Sequence, residues 1–189
     1  MSTDHEIPKI NHQQWEGAST PTPTLENSVS RVWYLRSIDN NAEPIHEQRV
    51  EYFPGSPFPP THYHPDQDEH FEVEQGEMLF VIDGTERVLG VGDTIEIPRG
   101  TRHKAKNASS TDSAVVRWET RPALRTTAFF TTAGRLGDDT GPLDSALLAR
   151  EYRDVFVTTG FIGLLVPVVS RIARMLGRTL PPPTWSVTR

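Results

Sequence analysis

The sequence predicts an all-β core, an antiparallel β-barrel or jelly roll, followed by C-terminal α-helices. Eight or more short apolar runs, separated by turn residues, follow one another from Ser28 onwards, which is typical of antiparallel sandwiches and barrels. The 16 prolines and 13 glycines among 189 residues supply the many turns that short strands need. After Gly141 the pattern changes, and apolar residues recur at helical spacing. The length fits one domain, and there is no internal repeat.

Strands are predicted where apolar or aromatic runs are bounded by turn residues. They cover residues 31–36, 48–53, 70–73, 78–82, 86–89, 94–97, 103–106 and 114–120. Asp83-Gly84 indicates a tight hairpin, because the primed turns need positive φ. Residues 54–60 contain four prolines, too many for a central strand.

Two helices are predicted towards the C-terminus, at residues 143–157 and 167–176. The change in pattern divides the chain into an N-terminal arm (1–27), a β-barrel (28–131) and a C-terminal helical extension (132–189). The arm is polar and has no apolar core of its own.

Composition and charge argue against several classes of function. A net charge of −6 without a dense basic block argues against nucleic acid as a partner. The lack of cysteine excludes disulfides and thiolate metal sites. The longest apolar stretch, Phe161 to Val169, is shorter than the roughly 20 residues of a membrane span. Since the N-terminus also has no apolar run, we expect a cytoplasmic protein without a secretory signal.

Three histidines and a glutamate form a candidate metal site. His62 and His64 are two residues apart, so on a strand both imidazoles point to the same face. Glu69 follows after a tight turn, and His103 would reach the same point from another strand. Imidazoles with one carboxylate suit Fe, Mn, Ni, Cu or Zn.

The residues around these four follow a longer pattern. It runs HxH–x4–E–x6–G from His62 to Gly76 and G–x5–PxG–x2–H–x3–N from Gly92 to Asn107. This pattern resembles the two signatures of the cupin superfamily, and the match to the second is complete. In the first, Gly55 lies one residue further from His62 than usual, within the proline-rich loop. The resemblance covers about residues 28–131 and identifies a small single-domain metal-binding cupin.

The resemblance implies that His62, His64, Glu69 and His103 bind one divalent metal ion inside the barrel. On a six-coordinate ion they would leave two positions for substrate, water or dioxygen. Glu69 would also act as a catalytic base if it loosens from the ion. The substrate pocket is open to two interpretations: Phe71, Val73, Phe80 and Trp118 either line it or fill the core, with Phe71 and Val73 on the same face as Glu69. Arg117 and Glu119 are expected on an exposed face.

Three functions fit this site. The first is a metal-dependent oxidoreductase, dioxygenase-like, acting on a small organic molecule. The second is non-redox isomerisation, cyclisation or elimination at a Lewis-acidic ion. The third is a binding protein without turnover. A homodimer is expected in which the barrel sheets, with or without the C-terminal helix, bury apolar surface between subunits, because FIGLLVPVV (residues 161–169) is too apolar for water and two-fold dimers are the commonest oligomers. The alternative is that both helices fold back on their own barrel.

Overall fold

The computed structural model of the protein describes residues 23–36 and 44–183. The predicted arm therefore lies outside the described residues, except for its last five positions. The elements in chain order are β1 (Leu25–Glu26), β2 (Ser30–Arg36), β3 (His46–Tyr52), β4 (His62–Tyr63), β5 (Asp68–Gln75), β6 (Met78–Ile82), β7 (Thr85–Leu89), β8 (Thr94–Ile97), β9 (His103–Asn107), β10 (Ala114–Arg121), α1 (Thr126–Leu136), α2 (Pro142–Glu151), β11 (Val157–Thr158) and α3 (Gly160–Met175).

The strands form two antiparallel sheets. The first has the order β1-β2-β3-β10-β5-β8 and the second has the order β11-β4-β9-β6-β7. The predicted all-β antiparallel core with C-terminal helices is confirmed. The strands of the described chain divide into two separate sheets, however, and do not close into the continuous barrel that the sequence predicted.

The core lies between the inner faces of the two sheets. Along β5, Glu69, Phe71 and Val73 are buried and alternate with partly exposed residues, as the two-residue period of a strand requires. The buried cluster comprises Val32, Val50, Phe71, Val73, Met78, Phe80, Ile95, Ile97, Ala114 and Val116. Gly76 closes one end of this core at φ +68°, where a Cβ would lie 2.7 Å from the Ser113 carbonyl oxygen.

The outer face of the first sheet corrects one expectation. Glu119 is only 4% exposed, although Arg117 and Glu119 were expected on an open surface. The Arg117 guanidinium bridges the Glu47 carboxylate at 2.5 Å and Glu119 at 3.4 Å. Arg36 contacts Glu47 and Arg121 contacts Glu119. Neighbouring side chains on this face therefore cover the two carboxylates and pair with them.

The helices differ from the prediction at three points. Helix α1 was not predicted, because its four threonines favour strands by propensity. The helix predicted at 143–157 ends at Glu151, since residues 157–158 pair with β4. The helix predicted at 167–176 begins at Gly160 and keeps Pro167 in its interior. None of the helices among the described residues is long and apolar enough to cross a bilayer.

Asn107, the last residue of the second signature, ties β9 to the neighbouring loops. Its side-chain N–H groups donate to the Tyr52 and Asp112 carbonyl oxygens at 3.1 and 2.7 Å. Its carbonyl oxygen accepts from the Ser109 backbone N–H at 2.8 Å. Asn107 is 2% exposed, so water cannot replace these bonds.

We therefore predict that Asn107→Ala lowers the free energy of unfolding by about 3 kcal/mol, because it removes three hydrogen bonds of a buried side chain. Urea denaturation measures the change. Thr111→Ala, on the exposed part of the same loop, is the matched control and should change stability by less than about 0.5 kcal/mol. Equal effects of the two substitutions would contradict the prediction.

Candidate metal centre

Three buried imidazoles meet on the inner face of the second sheet. His62 on β4 is paired directly with His103 on β9, and His64 follows His62 by two residues. One ring nitrogen of each lies within 4.8 Å of the others. The HxH spacing, the β4–β9 pairing and burial thus bring the three predicted histidines together, and they could hold a metal ion.

The orientation of each imidazole is set by its Nδ1 atom. Each Nδ1 lies at hydrogen-bond distance from one backbone carbonyl oxygen, that of Pro60 for His62 (2.9 Å), Thr101 for His103 (3.0 Å) and Val155 for His64. A carbonyl only accepts, so each Nδ1 carries the proton and each Nε2 presents a lone pair. Hydrogen bonds of this kind, from Nδ1–H to a backbone carbonyl, orient histidine ligands around metal ions.

Glu69 reaches the same point from the first sheet. Its Oε1 lies 3.1 Å from the Nε2 of His64, and its Oε2 lies 2.9 Å from the Nε2 of His103. The Trp118 indole N–H donates to Oε1 at 3.0 Å. Glu69 is 1% exposed, so its contacts in this cluster replace hydration.

Burial and the neighbouring charges have opposite effects on the pKa values of His64 and Glu69. Burial alone would lower the pKa of His64, but the Glu69 carboxylate outweighs burial and raises it. Burial alone would raise the pKa of Glu69, but His64 and His103 outweigh it and lower it. Burial and the two neighbouring imidazoles lower the pKa of His62 to about 3, so this ring stays neutral.

The four side chains have the donor chemistry of a metal site. Lone pairs on Nε2 face carboxylate oxygens at 2.9 and 3.1 Å, and two acceptors at that distance need a cation between them. Two ligand atoms about 2.1 Å from one ion and at right angles to each other are about 3.0 Å apart. The residues present therefore fit a divalent ion, and a proton fills the same role when His64 is charged.

A cavity of about 400 Å³ adjoins the centre. His62, His64 and Glu69 contribute to its wall, beside the aromatic side chains of Tyr52, Phe58, Trp118, Phe129, Phe130 and Phe156. The Phe156 ring stacks on His62, with 4.3 Å between ring centroids. A small organic molecule could therefore lie against the imidazoles in a largely apolar space.

The four candidate pocket residues lie in two places. Trp118 lines the cavity. Phe71, Val73 and Phe80 belong to the buried core cluster and do not contribute to the cavity wall. Phe71 stacks on Trp118 at 5.0 Å, so it supports the cavity from behind.

Sequence reasoning did not identify several residues of the cavity wall. Phe129 and Phe130 come from α1, and Phe156 comes from the segment between α2 and β11. Gln48 and Thr120 come from β3 and β10. The one available signal was strand parity, because Gln48 and Thr120 occupy inward-facing positions of strands that were predicted. Nothing local indicated that the phenylalanines would fold back over the histidines.

The antiparallel two-sheet fold thus presents three inward imidazoles that could hold a metal ion, opposite one buried carboxylate. The sequence profile of the cupin domain family matches residues 48–118, which include all four of these side chains. Residues 48–118 of this chain therefore match the cupin domain family, as the sequence signatures predicted.

One curated relative is similar to part of this chain. The oxidoreductase iacF of Pestalotiopsis fici is 39% identical over 85 residues, which cover 44% of this chain and 39% of that protein. The chain thus matches about two fifths of the length of this relative.

Several solved structures are similar to part of this chain at low sequence identity. KdgF from Halomonas sp. is 22% identical, with a TM-score of 0.43, over 51% of this chain and 82% of that one. A Cupin 2 conserved barrel domain protein from Salinispora arenicola is 22% identical, with a TM-score of 0.44, over 52% and 80%. The polyketide cyclase RemF from Streptomyces resistomycificus is 21% identical, with a TM-score of 0.45, over 55% and 70%.

Two histidines near Glu69 allow a matched test of the centre. We predict that His103→Ala weakens zinc binding more than about 100-fold, because it removes a ligand nitrogen. His70→Ala should leave zinc affinity unchanged, since His70 faces outward and contacts Glu96 at 2.7 Å. Isothermal titration calorimetry of both variants measures the difference. Unchanged zinc binding by His103→Ala would contradict the assignment.

Proposed function

We propose that this chain is a metal-dependent cupin enzyme, a dioxygenase-like oxidoreductase that acts on a small organic molecule. The ligands of one divalent ion, Fe, Mn, Ni, Cu or Zn, would be His62, His64, Glu69 and His103. The observation that carries the proposal is the approach of the Nε2 lone pairs to the Glu69 carboxylate at 2.9 and 3.1 Å in a buried space. The relative named an oxidoreductase supports the choice of reaction class.

The bound ion would supply Lewis acidity and, for iron or copper, electron transfer to dioxygen. The protein supplies the rest. The Trp118 N–H fixes Oε1 of Glu69, so Oε2 is the atom that would take a proton if Glu69 acts as a base. The lowered pKa of Glu69 keeps this oxygen ionised, which favours its role as a metal ligand over a role as a general base. Phe129 and Phe156 exclude water from the side of the cavity next to His62.

The choice of metal decides between oxidoreductase and Lewis-acid chemistry. We expect the purified protein to contain iron or copper by elemental analysis, and the iron(II) form to bind nitric oxide with a new electron paramagnetic resonance signal. Oxygen-electrode assays with small carbonyl and phenolic compounds should then show uptake that His103→Ala abolishes and His70→Ala retains.

Two results would overturn the redox assignment. Zinc in the purified protein, with conversion of a compound without oxygen uptake, would favour an isomerase, cyclase or lyase. A bound ion with ligand binding but no conversion would favour a binding protein. Cytoplasmic residence stays a prediction.

We also propose that the chain forms a homodimer through α3. Eight apolar residues of α3 and its C-cap are 41–87% exposed: Phe161, Ile162, Leu164, Leu165, Val168, Ile172, Met175 and Leu176. The opposite side of the helix buries the small residues Ser170 and Ala173. The apolar side thus leaves on the order of 800 Å² uncovered, which is about what each partner buries in a standard interface.

A second copy in antiparallel orientation fits this surface best. The arginines of α3 lie towards its C-terminal end, at Arg171 and Arg174, with Arg178 just beyond. A two-fold axis near Val168 would place the two arginine groups at opposite ends of the helix pair, where they repel little.

We predict that light scattering gives twice the 21.2 kDa mass of the chain, and that the pair Leu164→Glu and Val168→Glu gives the monomer. Charges in an apolar interface cost more than the interface gains. Val88→Glu with Val91→Glu is the matched control, because both valines are similarly exposed but lie away from α3. A monomeric wild type, or a dimer that survives the α3 substitutions, would overturn the proposal.

A further inference from the structure

Two polar side chains on the inner face of the first sheet line the cavity beside the metal centre. Gln48 on β3 lies opposite Trp118 on β10, and Thr120 on β10 lies opposite Glu69 on β5. Strand parity therefore aims Gln48 and Thr120 at the same side as Glu69. Both contribute to the wall of the cavity of about 400 Å³.

Neither side chain is satisfied within the part of the chain that the structure describes. The Nε2 of Gln48 and the Oγ1 of Thr120 are buried without a hydrogen-bond partner, and each residue is 1% exposed. Leaving such groups unpaired destabilises a fold. Two such unpaired polar atoms on one wall of a cavity are available to form hydrogen bonds with a ligand.

The amide of Gln48 is held in one orientation. Its Oε1 lies 3.2 Å from the Nε2 of His46, and the Nδ1 of His46 lies 2.9 Å from the Thr127 hydroxyl. Burial lowers the pKa of His46 to about 4, so its ring is neutral. In this arrangement the Nε2–H of His46 donates to Oε1 and the Thr127 hydroxyl donates to Nδ1, so the Nε2 of Gln48 is a donor without a partner.

The His46 ring is itself fixed between aromatic neighbours. Tyr34 contacts its edge at 5.1 Å and Phe130 stacks on it at 5.8 Å, both between ring centroids. Gln48 is therefore a preorganised donor, which reduces the entropy lost on binding a ligand.

The rest of the wall is suited to a flat apolar ligand. Trp118, Phe129, Phe130 and Phe156 present ring faces or edges around the cavity. A planar aromatic molecule would contact these rings, and it would need an acceptor oxygen to satisfy Gln48.

We propose that Gln48 and Thr120 form a substrate subsite that binds the carbonyl or carboxylate oxygen of an aromatic molecule beside the metal centre. The inference rests on the proposed function for the identity of the ligand as substrate. The hydrogen bonds themselves need no metal. Gln48 is a positioning and specificity-determining residue, because it selects for the oxygen and orients the ring towards His62 and Glu69.

Acetophenone and α-methylstyrene test the subsite, since they have nearly the same shape but only the ketone carries an acceptor. Binding is measured by ligand-observed NMR, on chelated protein and on zinc-loaded protein. We expect the chelated wild type to bind acetophenone about tenfold more tightly than α-methylstyrene. Gln48→Met should remove that preference by weakening acetophenone alone.

Two further variants separate the subsite from a structural role. Gln48→Glu keeps the acceptor for His46 but removes the donor, so it should also lose the preference for the ketone. Thr120→Val should weaken acetophenone by a few-fold with no loss of thermal stability, because Oγ1 has no bond to lose. Thr131→Val is the matched control, since its hydroxyl donates to the Thr127 carbonyl oxygen and does not line the cavity.

The outcomes distinguish this inference from the proposed function. Equal binding of the two probes to the wild type, or equal weakening of both by Gln48→Met, would overturn the subsite even if the protein binds metal and consumes oxygen. A retained preference for acetophenone in a protein without metal affinity or turnover would keep the subsite and overturn the enzyme assignment.

Discussion

The buried contact of the Glu69 carboxylate with the imidazoles of His64 and His103 is the constraint on which the rest of the structure depends. The carboxylate comes from one sheet and the imidazoles from the other, so the contact fixes how the two sheets face each other. A buried carboxylate is unfavourable without a cation beside it. Because backbone carbonyls already occupy the Nδ1 atoms, a cation paired with Glu69, either a metal ion or a proton on an imidazole, could lie only at the centre of the cluster.

Both faces of the first sheet carry residues that matter for the candidate metal centre. Its inner face carries Glu69, Trp118 and the two polar residues of the proposed subsite. Its outer face carries a network of ion pairs in which Arg117 bridges Glu47 and Glu119. The Glu47 and Glu119 carboxylates are nearly as buried as that of Glu69. Arginine side chains on the outer face neutralise them, so they need no cation from the inner face of the sheet. The network also joins β3 to β10, the strands that hold the cavity wall.

Residues of the C-terminal segment contact the imidazoles of the candidate metal centre. The Val155 carbonyl oxygen accepts from His64, and Phe156 stacks on His62. Two of the three imidazoles are thus positioned by residues more than 90 positions away in the sequence. A change in the packing of the helices on either side of this segment would therefore reach the candidate metal site through these two contacts.

The resemblance to the cupin signatures implied that Glu69 and His103 join His62 and His64 inside the fold. The sequence by itself determined the short strands, the shared side of His62 and His64, and the turns between the strands. These features depend on local rules, the two-residue period of strands and the backbone demands of glycine and proline, so they can be read from spacing. Tertiary structure alone decided the separation into two sheets, the burial of Glu119 and the cover that α1 and Phe156 form over the centre. Those features depend on contacts between residues that are distant in the chain. A threonine-rich helix and a single phenylalanine carry no local sequence signal for such contacts.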